Sequence, residues 1–423
     1  MTAPHPVVDL DPRSNSVLED EDARLRARAN KVIPGGMYGH LNAKGLPPGY
    51  PQFFARAEGC RVWDVNGREY LDFMCSWGPV IAGHRHPAID EAARRQAALG
   101  DCMNGPTARL VELSERLVGM LPHADWAMFQ KNGTDATTAA LMVARAATGK
   151  RKILLAKGAY HGAVPWCTPS LAGVTAEDRA HLVYFTYNDI DSLTAAARSA
   201  GDDLAAILVA PFRHDLGIAQ ELPNPAFARQ ARLLCDQQGA ALVIDEVRAG
   251  LRLSMQGSWE ALGVRPDICA WSKAIANGYA LAAVTGNDAF RNGARQIYIT
   301  GSFWMGGVAM AAALATLDVL ENNKAINHFE QMGQRLRNGL QRQADRHGLA
   351  ISQTGPVQLP LVMFEHDPDF TLGARFAAEA MKQGVYLHHR HNMFLSLAHT
   401  AQDIDHALQV TDHAFAQVAA AAH

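Results

Sequence analysis

The feature that most constrains the fold is an unbroken apolar run, Ala240-Ala241-Leu242-Val243-Ile244, that ends on the acid pair Asp245-Glu246. Apolar residues without alternation describe a strand buried on both faces, the habit of parallel sheets covered by helices. Similar runs recur at Lys152–Ala156, Ala206–Ala210, Ile268–Trp271 and Leu281–Thr285, with a shorter one at Trp126–Phe129. Helical patterns lie between them at Thr107–Met120, Thr134–Ala147 and Pro225–Gln238. This alternation predicts an α/β fold with a mostly parallel central sheet and helices on both faces. After a helix at Gly306–Glu321, the last hundred or so residues read as a separate α+β unit. It has a helix at Asn327–His347, strands near Val362 and Val385, and a final helix from Asp403.

The chain's beginning is polar, and residues 1–15 read as loose. Ser16-Val17-Leu18-Glu19 has the form of a capping box for a helix that starts with acids and ends with bases, with Asp20–Arg24 and Asp22–Arg26 at ion-pair spacing. Pro34-Gly35-Gly36 stops that helix. A β-hairpin is then expected from Cys60–Asp64, a turn at Asn66-Gly67, and Glu69–Phe73. Of the 423 residues 48% are hydrophobic, enough for a large core. Lys plus Arg number 39 against 42 Asp plus Glu, so no cation excess exists to bind nucleic acid. Six scattered cysteines form no CxxC pair and suit a reducing compartment. The acidic start lacks a signal core, and the longest apolar stretch, Met305–Leu317, is short for a membrane span. These points lead us to expect a soluble cytoplasmic enzyme without membrane or nucleic-acid partners.

Ligands of open α/β sheets bind at the carboxyl ends of strands, which is where Asp245 falls. An acid there suits either a Mg²⁺-nucleotide site or the protonated nitrogen of a heterocycle. The first needs a GxxxxGK[ST] loop, and Ala147-Thr148-Gly149-Lys150-Arg151 does not supply one. The second gains from Lys273, placed just after the apolar strand Ile268–Trp271. A lysine in such a setting either snorkels to the surface or, with its basicity lowered by burial, forms a Schiff base with an aldehyde. An Asp for a pyridinium nitrogen and a Schiff-base Lys together describe pyridoxal 5'-phosphate chemistry. A phosphate cup is available at Asn132-Gly133-Thr134-Asp135-Ala136, which also reads as a plain N-cap. If an anion sits there, Asp135 has to point away. Tyr160, in Gly158-Ala159-Tyr160-His161-Gly162, is an aromatic able to stack on a ring or simply to pack. The run His388-His389-Arg390-His391 lacks an adjoining acid or thiol, and no metal site is expected.

Taken in order, Trp63-Asp64…Gly67, Ser76-Trp77-Gly78-Pro79, Gly83-His84, Asn132–Ala136, Tyr160-His161-Gly162, Asp245-Glu246-Val247, Ser272-Lys273 and Gly301-Ser302 resemble the class III, fold-type I aminotransferases. Phe394-Leu395-Ser396…Ala398-His399-Thr400 resembles the glutamate-1-semialdehyde aminomutase branch. Pro34–His40, Pro51–Phe54, Pro211–His214, Thr300–Trp304 and His391–Phe394 resemble the fumonisin aminotransferase type within it. The resemblance implies a small domain formed by both chain ends, with divisions at 1–75, 76–320 and 321–423. It also implies homodimers with shared active sites. Lys273 would carry the cofactor and shuttle the proton, and Asp245 would hold the ring nitrogen. Val247 would pack under the ring and Tyr160 over it, while Gly133 and Thr134, with Ser302 or Thr300 from the neighbouring subunit, would hold the phosphate. Trp77 and Tyr38 are candidates for the substrate pocket.

The chain departs from the family where Ala210-Pro211 replaces Glu-Pro and where Asn42 replaces the aminomutase arginine. It departs again at Arg390–Phe394, where the aminomutases carry Phe-Glu-Ala-Gly-Phe. These changes favour an amine donor without a carboxylate beside the reacting carbon, bulky or long-chain, with a keto acid such as pyruvate as acceptor. Arg213 and Arg390 are the candidate cations for the acceptor's carboxylate. Two other readings stay open: an aminomutase or epimerase on the same cofactor, and a cofactor-binding scaffold without turnover.

Overall fold

The computed structural model describes residues 20–47 and 49–422. The expected capping box at Ser16–Glu19 and the segment 1–15 lie outside them. The first described helix is Glu21–Val32, and Asp20 caps it by accepting from Ala23 N at 3.2 Å and Asn66 Nδ2 at 2.9 Å. That capping role takes the Asp20 carboxylate, and Arg24 pairs with Glu21 instead. The Asp22–Arg26 pair forms at 2.5 Å.

The expected run of apolar strands forms a seven-stranded sheet. Its spatial order is Trp126–Gln130, Ala282–Gly286, Ile268–Trp271, Ala241–Asp245, Leu204–Val209, Lys152–Ala156 and Leu182–Phe185. Every neighbouring pair is parallel except those of Ala282–Gly286, which runs against both of its neighbours. The central strands Leu204–Val209 and Ala241–Asp245 are buried at every residue, because helices cover both faces. The alanine-rich helix Gly133–Thr148 lies across the strands, its buried residues Ala136, Thr137, Ala139, Ala140, Leu141, Val143 and Ala144 mostly small. Small side chains let that helix sit close to the sheet and bring its first turn to the strand ends.

A second sheet ties the chain's beginning to its end. Phe54–Glu58, Arg61–Asp64 and Glu69–Asp72 form an antiparallel meander, and Val385–Tyr386 pairs in parallel with Leu71–Asp72. The hairpin was expected; the extra strand Phe54–Glu58, exposed along most of its length, was not. Near the C-terminus, helices Ala325–Arg346, Thr371–Lys382 and Ala401–Ala422 pack together beside the hairpin Ile351–Thr354/Leu361–Phe364. Among the described residues no helix is long and apolar enough to cross a membrane.

Candidate active site

The acid pair at the end of the central strand divides its labour. Asp245 Oδ2 lies 2.7 Å from His161 Nδ1, and its Oδ1 accepts the Val247 N–H at 3.0 Å. His161 is buried, and its other ring nitrogen has no partner among the described residues. Glu246 points elsewhere and accepts from the Ser258 N–H and hydroxyl, each at 2.6 Å. Burial pushes its carboxyl up to about 7. Alternation along a strand sends neighbouring side chains to opposite sides, so one acid turns to His161 and the other pins the loop at Ser258.

Lys273 follows the strand Ile268–Trp271 in a left-handed conformation, φ 47°, which is uncommon for a residue with a Cβ. The buried turn Ala274, Ile275 and Ala276 holds it there. Burial first, then the positive charges of Arg248 and Arg252, push the amine down to about 7, against the pull of Asp245. The segment Cys75-Ser76-Trp77-Gly78 closes over the lysine with positive φ at all four residues. At Gly78, φ 110°, a Cβ would come within 2.9 Å of Phe394 Cε1 and 3.2 Å of Lys273 Cδ. Arg252 staples this segment by donating to the carbonyls of Gly78 (2.7 Å), Val80 (3.0 Å) and Leu395 (2.5 Å).

The helix Gly133–Thr148 presents its N-terminus to the same strand ends. Asp135 folds back to accept the Asn132 N–H at 3.0 Å. Thr134 Oγ1 accepts the Ala163 N–H at 3.2 Å, and a Cβ on Gly162 would come within 2.6 Å of that oxygen. A Cβ on Gly133 would come within 2.7 Å of Val247 Cγ1. The result is a cradle whose walls leave no room for larger residues: helix N–H groups and a hydroxyl at one end, an aliphatic floor at Val247, then Asp245 and Lys273. That donor set fits pyridoxal phosphate, with the phosphate at the helix, the ring nitrogen at Asp245 and the aldehyde at Lys273.

The other named residues are more scattered. Tyr160 is 43% exposed and lies within electrostatic reach of Asp245 and Arg248. Thr300 and Ser302 are exposed, and neither hydroxyl has a hydrogen-bond partner among the described residues. Trp77 is half-buried and meets the rings of His40, His388 and His391 edge-on at 5.2, 5.5 and 5.0 Å. Tyr38 is exposed. Arg213 is committed to Glu221 at 3.1 Å, with Asp215 at 3.8 Å. Arg390 stacks on Phe370, Cζ to ring centroid 4.7 Å. Among the described residues no group of three or more His, Cys, Asp or Glu is arranged to hold a metal ion.

Three residues escaped the sequence reading: His161, Arg252 and Arg248. Arg248 Nη1 donates to Asn392 Oδ1 at 2.8 Å and to the His214 carbonyl at 3.2 Å. Desolvation pushes its guanidinium down to about 10. The available signal was its place, one residue past Val247, where a cation beside a buried strand end is unusual.

The profile of the family described as "Aminotransferase class-III" matches residues 46–415. The chain is 50% identical over 394 residues to the aminopentol aminotransferase of Sphingopyxis macrogoltabida, covering 93% of each. It is 32% identical to a glutamate-1-semialdehyde 2,1-aminomutase of Syntrophobacter fumaroxidans, covering 96% of this chain and 98% of that one. The FumI protein of Sphingopyxis sp. MTA144, solved in its PLP internal aldimine form, superposes with a TM-score of 0.93 at 50% identity, covering 94% of this chain and 96% of FumI. A cradle of this composition and a match of this length have one reading: the chain belongs to the class III aminotransferases and, like them, works with pyridoxal phosphate.

Proposed function

We propose that this aminotransferase takes its amino group from a long, hydroxyl-bearing amine without an adjacent carboxylate and gives it to a keto acid such as pyruvate. The observation that carries this reading is the cage around Trp77. His388 and His391 are both pushed below the usual histidine range, mainly by burial, His388 to about 4, and His40 is lowered as well. The cage is therefore neutral at pH 7 and offers hydrogen bonds without charge. The Arg390 N–H lies 3.1 Å from His388 Nδ1, leaving Nε2 as the donor of that ring. His391 Nδ1 donates to the Asn392 carbonyl at 2.8 Å, leaving Nε2 as an acceptor. One donor and one acceptor without a partner among the described residues suit a hydroxyl, which is both. The similarity to an aminopentol aminotransferase supports the same class of donor.

When bound, pyridoxal phosphate supplies the electron sink that acidifies the carbon bearing the substrate nitrogen. Asp245, its Oδ2 held by His161, would hold the protonated ring nitrogen. Lys273, neutral in good part at pH 7, would take the proton from the substrate carbon and give it back. Gly133 and Thr134 would hold the phosphate, with Val247 and Tyr160 beside the ring, and Thr300 or Ser302 of a second copy of the chain would add a phosphate contact. Leu99, Met103 and Phe303 are exposed apolar residues close in sequence to the junction where Asp101 bonds the Gly307 and Val308 N–H groups, which supports a homodimer. Six free cysteines support a cytoplasmic setting.

The test is a donor panel with pyruvate, following the keto product and the cofactor's absorbance. Turnover of long amino alcohols is expected. Turnover without any keto acid would instead establish an aminomutase, and Lys273→Ala with undiminished transamination would remove the mechanism.

A further inference from the structure

An acceptor keto acid brings a carboxylate to within a few ångströms of Lys273, and something must neutralise it. Four arginines border the site, and three are already engaged. Arg213 is paired with Glu221. Arg390 lies on Phe370. Arg252 is spent on the carbonyls of Gly78, Val80 and Leu395.

A buried Nε without a hydrogen-bond partner is common to all four. Of the two whose charge acts on Lys273, Arg248 and Arg252, only Arg248 keeps an Nη without a hydrogen bond among the described residues. Among the described residues no carboxylate lies within ion-pair distance of it, and both its hydrogen bonds leave from Nη1. Its Nε is buried without a partner, and Nη2 makes no hydrogen bond among the described residues. Nε and Nη2 form one edge of the planar guanidinium, and that edge matches the two oxygens of a carboxylate. Its place is also right. It follows Val247, which supports the cradle floor, and its charge acts on Lys273, His214 and His391 while sensing Asp245, Asp215 and Tyr160. His214 and His391 are both pushed well below the usual range, mainly by burial, so they add no competing positive charge at pH 7.

We propose that the free Nε–Nη2 edge of Arg248 binds the carboxylate of the keto-acid acceptor, fixing its carbonyl toward Lys273. The inference rests on the transamination reading above and makes Arg248 a specificity-determining residue for the second half of the reaction.

The experiment uses the holoenzyme and separates the two half-reactions by cofactor absorbance in single turnovers. One half is a plain 2-aminoalkane, which has no hydroxyl for Arg248 to bind, with the pyridoxal form; the other is pyruvate with the pyridoxamine form. In Arg248→Met the ratio of efficiencies should shift against pyruvate by tenfold or more, with Arg248→Lys intermediate, because an ammonium keeps the charge but loses the paired edge. Oxamate, a pyruvate analogue whose amide carbonyl does not react, gives a binding readout independent of turnover. Its dissociation constant on the pyridoxamine form should rise by roughly 30-fold or more in Arg248→Met. Arg248→Gln, which keeps a donor to Asn392, serves if the methionine variant folds poorly. Equal losses in both half-reactions, or weaker cofactor retention with an unchanged oxamate constant, would assign Arg248 to the cofactor and overturn the proposal. A wild-type pyridoxamine form that no keto acid restores would instead defeat the transamination reading itself.

Discussion

The strongest quantitative consequence of the site concerns the basicity of Lys273. Its amine is pushed from 10.5 down to about 7. At pH 7 about half of the amine is then neutral, where an ordinary lysine holds roughly one part in 3,000 in that form. The discriminating window lies above neutrality. Between pH 7 and pH 9 the neutral fraction of Lys273 should rise only about twofold, whereas an ordinary lysine gains about 100-fold. Trace acetylation of the cofactor-free enzyme with acetic anhydride, read by peptide mass spectrometry, measures this directly. Added Nα-acetyl-lysine amide serves as the internal standard for reagent decay. Lys273 should plateau above pH 8 while the standard keeps climbing. Removing a neighbouring cation with Arg248→Gln should move the Lys273 midpoint upward, since that charge disfavours a second one. If Lys273 still climbs about tenfold per pH unit at pH 9, the account of a desolvated, cation-flanked amine is wrong.

Three further outcomes follow from the same geometry. His161→Ala leaves Asp245 Oδ2 without its 2.7 Å partner in a buried setting; the variant should lose about 1–3 kcal/mol in denaturant melts and release cofactor faster on dialysis. Gly133→Ala drives a Cβ to 2.7 Å from Val247 Cγ1; cofactor affinity, titrated by absorbance, should fall, and adding Val247→Ala should recover much of it. Arg252→Met strands three buried carbonyls. It should lower stability by about 3 kcal/mol or more, and Arg252→Lys should recover little, because one ammonium on a flexible stem does not reproduce the fork.

How much of this was written locally in the chain varies with the range of the interactions. The apolar strands, and the placing of Asp245 and Lys273 at their ends, were legible because a buried strand announces itself in consecutive residues. Glu246 was not separable from Asp245 by sequence, since only the fold shows that it turns toward Ser258. The edge strand Leu182–Phe185 and the strand Phe54–Glu58 went unread because both are partly exposed and carry no clean apolar run. The cage around Trp77 is assembled from residues 40, 77, 388 and 391, drawn from opposite ends of the chain. No local pattern encodes such a meeting. Arg213 and Arg390 were singled out for their chemistry alone; the structure gives the first to Glu221 and lays the second on Phe370, while the strongest positive influence on Lys273 comes from Arg248.

An aminotransferase must receive two unlike molecules in one space, and on the substrates proposed above the acceptor carries a carboxylate that the donor lacks. A fixed guanidinium edge that suits the first is left unpaired by a plain alkylamine, and an unpaired buried donor costs about 1–3 kcal/mol. A hydroxyl near the amine removes that cost, because its oxygen accepts from Nε or Nη2 as a carboxylate oxygen does. On that proposal the same residue would admit a keto acid in one half-reaction and an amino alcohol in the other, without any side chain having to swing away. A long 2-amino-3-alkanol should therefore outperform its 2-aminoalkane counterpart by roughly 5- to 150-fold in kcat/KM of the donor half-reaction. In Arg248→Met that preference should shrink to the part supplied by the imidazole cage. If the hydroxylated and plain amines are used equally by the wild type, or if the preference survives intact without the guanidinium, Arg248 has no part in choosing the donor and the neutral cage alone must account for it.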